Sequence, residues 1–149
     1  MENKCIGCTI MMNRAILPYL KELPEEIRVH DWWLALICSH FGAIGYLPEA
    51  TLMYRQHEGN QIGGTSYSGY LKKRVSKMKE QRQVLFDTYR QGKAFLQVFD
   101  SKMTKEQRKT ATKFAAMTDA SFLGRRYLAL RYGFLKSGLI RNAGLFFLL

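Results

Sequence analysis

His30-Asp31-Trp32-Trp33 places two titratable side chains directly ahead of two large aromatic rings, at the head of an apolar run that ends at Gly42. A carboxylate beside an aromatic wall suits sugar chemistry. A tryptophan face can receive a sugar ring, and a carboxylate next to such a wall can act as a catalytic base. Asp31 also has a purely structural use, because an aspartate at a helix start accepts orphan backbone N–H groups as a cap. A cap would be indifferent to His30 and to both tryptophans. Spacing alone does not choose between the two roles.

A second group is Arg55 and His57, within Tyr54-Arg55-Gln56-His57-Glu58-Gly59. They lead into a glycine-rich loop, and loops at strand ends are where a rigid scaffold carries its binding groups. An arginine and a histidine near glycine-freed backbone donors suit phosphate or a metal-bound diphosphate. A solvated polar turn accounts for the same letters. Cys5-x-x-Cys8 carries less. In an extended chain, residues three apart face opposite ways, and no second cysteine pair completes a zinc site. The two cysteines read as small residues packing in a core. His40, late in the helix, reads as a partly exposed or satisfied helix histidine.

The elements that must position these groups divide the chain in two. Residues 5–12, "CIGCTIMM", read as a buried strand with a central glycine. A short helix or turn interrupted by Pro18 follows, and then a loop at Pro24. The next helix spans Trp32–Phe41, with Gly42 as its C′ residue. "AIGYLPEATLMYRQH" reads as two short strands split by Pro48, and residues 58–69 as a loop or hinge. From about Tyr67 the apolar spacing turns helical, at Leu71, Val75, Met78, Leu85, Tyr89, Leu96 and Phe99. Thr104-Lys105-Glu106-Gln107 matches a capping box ahead of a helix over roughly 105–123. Residues 125–149 form a third helical region. The expected fold is an α/β unit over 1–64 followed by a mainly α-helical region over 65–149.

A chain of 149 residues is one domain, or one piece of a larger domain. Its hydrophobic content of 47% argues against disorder. The net charge of +11 is uneven: residues 1–64 hold five Lys and Arg against seven Asp and Glu, and residues 65–149 hold eighteen against five. A basic back half suits nucleic acid, an anionic membrane surface or a large acidic partner. No apolar run reaches the ~18 residues of a spanning helix. Met1 is followed by a polar stretch and not by a signal peptide, so the three cysteines read as free thiols in a reducing compartment.

Taken in order, "CIGCTIMMNRAIL", "HDWWLALICSHFG" and "GYLPEATLMYRQHEGNQIG" resemble the C-terminal half of family 2 glycosyltransferases of the GT-A fold. The resemblance is strongest to the bacterial rhamnosyltransferase-type enzymes of surface-polysaccharide synthesis, and it covers residues 3–64. It implies that residues 1–64 are the acceptor and catalytic-base half of a Rossmann-like GT-A core, and that residues 65–149 are a basic helical extension. It makes Asp31 the general base of an inverting transfer. Gly7, Cys8 and Thr9 would line the acceptor side, with His30, Trp32 and Trp33 beside them. Arg55 and His57 would meet the leaving diphosphate, and His57 would touch the divalent Mg or Mn ion used by the family.

The implied partners are a nucleotide-sugar donor and a saccharide or lipid-linked acceptor. The family's donor-binding half ends in Asp-x-Asp, a motif that occurs nowhere in these residues. The chain therefore reads as a truncated gene product or split unit, inactive alone, with the missing N-terminal half as a possible separate chain. The competing reading is a non-catalytic basic helical adaptor. Arg125, Arg126, Arg131, Lys136 and Arg141 are interleaved with Leu128, Leu135, Leu139, Phe146 and Phe147, a mix that fits an anionic membrane surface better than nucleic acid. The expected place is the cytoplasm, peripheral at the inner face of the membrane, with no nucleic-acid partner.

Overall fold

The computed structural model describes residues 2–21, 23–53, 55 and 77–149. Among these, every regular element is helical: α1 (His30–Phe41), α2 (Met78–Phe99), α3 (Lys105–Ala115), α4 (Phe122–Arg131) and α5 (Leu139–Leu148), with 3₁₀ turns at Gly7–Thr9, Arg14–Tyr19 and Asp100–Lys102. The α/β expectation is thus overturned. Where a strand was expected over 5–12, Thr9 N–H donates to the Ile6 carbonyl at 2.8 Å and closes a 3₁₀ turn. Residues 43–53 are exposed and form no ladder. The physical reason is pairing. Apolar patterning makes a segment suitable for a strand, but a strand exists only where a neighbour satisfies its N–H and C=O groups. No such neighbour stands beside either segment among the described residues. Leu71, Val75 and the expected loop at 58–69 lie outside the described residues.

The long helix α2 is the spine. Its first half supplies Leu85 and Tyr89 to a cluster with Met117, Ala129, Phe134 and Leu145. Its second half supplies Phe95 and Phe99 to a cluster with Ile16, Trp33, Ile37 and Met103. Buried residues from both sides of residue 64 therefore share the second cluster. Burial pushes the fully enclosed Tyr89 hydroxyl well above its ordinary range, against a partial opposing pull from Arg125, so the ring stays neutral.

The expected capping box is present. Thr104 Oγ1 accepts from Gln107 N–H at 3.3 Å, and Gln107 Oε1 accepts from Thr104 N–H at 2.9 Å. Gln107 Nε2 also donates to the His40 carbonyl at 2.6 Å, which ties α3 to the end of α1. The helix expected over 105–123 stops at Ala115, and Ser121 starts α4 by accepting from Gly124 N–H. The last helical region is likewise two helices. Gly133 (φ 68°) and Gly138 (φ 81°) supply the left-handed turn between them, where a side chain would be strained.

Gly92 of α2 faces the Phe114 ring of α3, and a Cβ there would lie 2.4 Å from Phe114 Cδ1. Alanine raises helix propensity by about 1 kcal/mol over glycine. Overpacking, at about 1–3 kcal/mol, opposes it. The Phe114 ring is held edge-on by Tyr89 and Phe134, so it has little room to yield. Gly92→Ala should lower the urea-unfolding free energy, by up to about 2 kcal/mol net. A stabilised variant would mean that the ring moves freely.

Candidate functional site

The site is built at the head of α1. The chain enters through Arg28, whose N–H donates to Oε1 of the buried Gln91 of α2 at 2.9 Å. Val29 occupies the N-cap position and makes no side-chain cap bond. The capping reading of Asp31 is therefore corrected. Asp31 stands inside the first turn, two residues past the N-cap, and its carboxylate turns away to residues 3–7. Oδ2 accepts from Gly7 N–H at 3.1 Å, and Oδ1 accepts from Asn3 Nδ2 at 2.9 Å. Asn3 is itself locked, donating to the Cys5 carbonyl at 2.7 Å and accepting from Cys5 N–H at 2.9 Å. The first turn of a helix also favours a negative side chain.

Gly7 lies close to the side chains of both His30 and Asp31. A Cβ there would lie 2.9 Å from His30 Nε2 and 3.5 Å from Asp31 Oδ2. Two sequence motifs, Gly7-Cys8-Thr9 and His30-Asp31, thus meet at Gly7. Asp31 and Trp32 line an open cleft of about 460 Å³, with Glu2, Asn3, Arg28 and Lys136 among its polar groups and Val84, Leu85 and Leu148 among its apolar ones. Trp32 is half-buried, with the Arg28 guanidinium 5.5 Å from its ring centroid. The cleft therefore has an aromatic wall, an oriented carboxylate and two cations.

Other sequence-derived assignments fall elsewhere. Trp33 is 1% exposed and packs edge-on against Phe95 at 5.2 Å, so it is a core residue and not a sugar platform. Cys8 and Thr9 are exposed and do not line the cleft, and the Thr9 hydroxyl donates to the Ile6 carbonyl at 2.8 Å. The core-packing reading of the cysteines is corrected too, since Cys8 is exposed and Cys5 is half-buried at the cleft. His40 is a satisfied helix histidine, with Nδ1 2.9 Å from the Leu36 carbonyl and its ring on Phe95. Arg55 is exposed and is not among the cleft residues. His57 lies outside the described residues. Among the described residues no three His, Cys, Asp or Glu side chains converge as metal ligands.

Sequence reasoning missed Glu2, Asn3, Arg28 and Gln91. None carries a local signal, because each acts across a long separation, from 28 residues for Asn3 to Asp31 up to 139 for Glu2 to Arg141. Glu2 pins the segment that holds Asp31. It accepts from Ser137 Oγ at 2.6 Å and pairs with Arg141 at 3.0 Å and Lys4 at 3.1 Å. Burial alone would raise its carboxyl. The combined bonds from Ser137, Lys4 and Arg141 outweigh that and hold it at about 2, against an ordinary 4.5.

A depressed folded-state value stabilises above the unfolded one and is lost on acidification through the folded one. Glu2 should therefore strengthen the fold fully above about pH 4.5 and progressively less down to about pH 2. The stability gap between the wild type and Glu2→Gln should narrow across that window in urea titrations. A gap that is independent of pH would show that the charge of Glu2 does not hold the segment.

No protein-family model, curated protein or solved structure matches the chain. The functional reading therefore rests on the residues themselves.

Proposed function

We propose that the chain supplies the acceptor side of an inverting sugar transferase, with Asp31 as general base. The observation that carries this reading is the Asp31 carboxylate, fixed by Gly7 N–H and the Asn3 amide at the wall of a cleft shared with Trp32. An ionised carboxylate has about four acceptor positions. Two are used to orient it, which leaves lone pairs for a hydroxyl. In the proposed reaction the acceptor hydroxyl attacks the anomeric carbon in line. Its proton passes to Asp31, and the nucleoside diphosphate departs with the electron pair of the broken bond. Trp32 supplies the aromatic wall against which the acceptor ring rests, with the Arg28 guanidinium beside it in the cleft. Arg55 and His57 keep, from the resemblance alone, the role of countering charge on the leaving diphosphate. The reading needs no sheet within these residues, and no step passes through a metal ion.

Donor binding has no Asp-x-Asp motif here, so the reading includes a nucleotide-binding half as partner, on the same or a separate chain. Among the described residues, no helix is long and apolar enough to cross a membrane. A saccharide or lipid-linked acceptor suits work at the cytoplasmic face of a membrane, with the protein held peripherally. The test is transfer itself. Combined with an Asp-x-Asp donor half, the chain should move labelled sugar from a nucleotide sugar onto membrane-extracted acceptor. Failure with every common nucleotide sugar would refute the reading.

A further inference from the structure

The peripheral placement proposed above names no surface, and the exposed side chains of α4 and α5 single one out. On α4, Leu123, Tyr127 and Leu130 recur at helical spacing and are 74%, 63% and 65% exposed. The opposite face of that helix holds the buried Ala129 and the half-buried Leu128. On α5, Leu139, Ile140 and Phe147 are 89%, 62% and 71% exposed, while Leu145 and Leu148 are buried. Each helix is thus apolar on two faces, of which the core covers one. Arg126 joins the two helices. It lies 3.5 Å from the exposed Phe122 ring centroid and donates to the Phe146 carbonyl.

Charge identifies the occupant. Residues 120–149 carry five Lys and Arg and no Asp or Glu, and one acid from elsewhere, Glu2, pairs with Arg141. A second copy would bring like charge against like charge. Nucleic acid would engage the cations and leave the leucines in water. We propose that α4 and α5 lie in the headgroup boundary of an anionic bilayer. Leu123, Tyr127, Leu130, Ile140 and Phe147 enter the acyl edge, and the exposed Arg131 reaches the lipid phosphates. The inference rests on the peripheral placement and is independent of the chemistry in the cleft.

Of the five apolar residues in the expected basic–apolar mix, Leu128, Leu135 and Phe146 pack inward. Leu139 and Phe147 face outward as that mix requires, and α4 adds residues that the sequence pattern had not singled out.

The experiment is vesicle co-sedimentation of the whole chain at low salt, on phosphatidylcholine alone and on phosphatidylcholine with phosphatidylglycerol. Paired serine variants leave the charge unchanged. Leu123→Ser with Leu130→Ser removes the α4 stripe. Met11→Ser with Met53→Ser removes equally exposed apolar groups elsewhere. Circular dichroism checks that each variant is folded. The wild type should bind the anionic vesicles selectively and detach as salt rises. The stripe variant should lose at least about tenfold in partitioning, and the control about twofold or less. Equal loss in both variants overturns the assigned face and leaves the peripheral placement standing. No binding to anionic vesicles overturns both. Binding to duplex DNA that the stripe variant weakens as strongly would transfer the face to nucleic acid. None of these outcomes depends on transfer activity, so failure of the cleft reading would be seen separately.

Discussion

Asp31→Asn should lower sugar transfer by about 10² or more, the scale of losing a general base, while the fold survives. Asparagine keeps the shape, and its carbonyl oxygen can still accept from Gly7 N–H. What changes is the other position. The new NH₂ group would face Asn3 Nδ2, a donor that cannot turn without breaking two bonds to Cys5. One lost hydrogen bond at this half-buried site costs about 1 kcal/mol, which a melting curve reads as a modest shift. The helix start should lose only the small dipole interaction of a first-turn charge, since Asp31 makes no cap bond. Activity and stability therefore separate: turnover falls by orders of magnitude and the melting temperature by a few degrees. Near-normal turnover in the asparagine variant would make Asp31 a clamp for residues 3–7 and nothing more.

The sequence showed the helices better than it showed the class of fold. Helical spacing at Leu85, Tyr89 and Phe99 marks residues that are buried along α2, because the period of one helix is a local property. The capping box at Thr104 is local as well, and it is present. The expected strands were not legible in the same way. "CIGCTIMM" and the run around Pro48 have strand-like composition, but a strand is made by a partner that no single segment specifies. At the site, the recognised motifs pointed to Gly7 and to His30-Asp31, which converge. They misplaced Trp33, because two adjacent tryptophans on a helix point about 100° apart and cannot share a face. The supports from Glu2, Asn3 and Gln91 are long-range contacts that no local pattern encodes.

The two tryptophans should separate cleanly on substitution. Trp33→Ala should cost about 3–5 kcal/mol of unfolding free energy, the range for deleting a large buried aromatic. The ring is 1% exposed and touches Phe95 at 5.2 Å and Phe99 at 5.9 Å between centroids, in the cluster that joins α1 to the second half of α2. Small domains have only about 5–15 kcal/mol in total, so the alanine variant should unfold at low urea. Trp33→Phe should cost much less. It keeps a ring against Phe95 and Phe99, and it removes an indole N–H that has no hydrogen-bond partner among the described residues. Trp32→Ala should show the reverse balance. Its ring is half-buried at the cleft beside Arg28, so stability should fall little while the Michaelis constant for the acceptor rises. Urea titrations of the three variants, with acceptor kinetics on those that fold, decide the matter. If Trp33→Ala kept its stability and lost only acceptor affinity, Trp33 would be the sugar platform after all, and the packing of α1 on α2 would have to be redrawn.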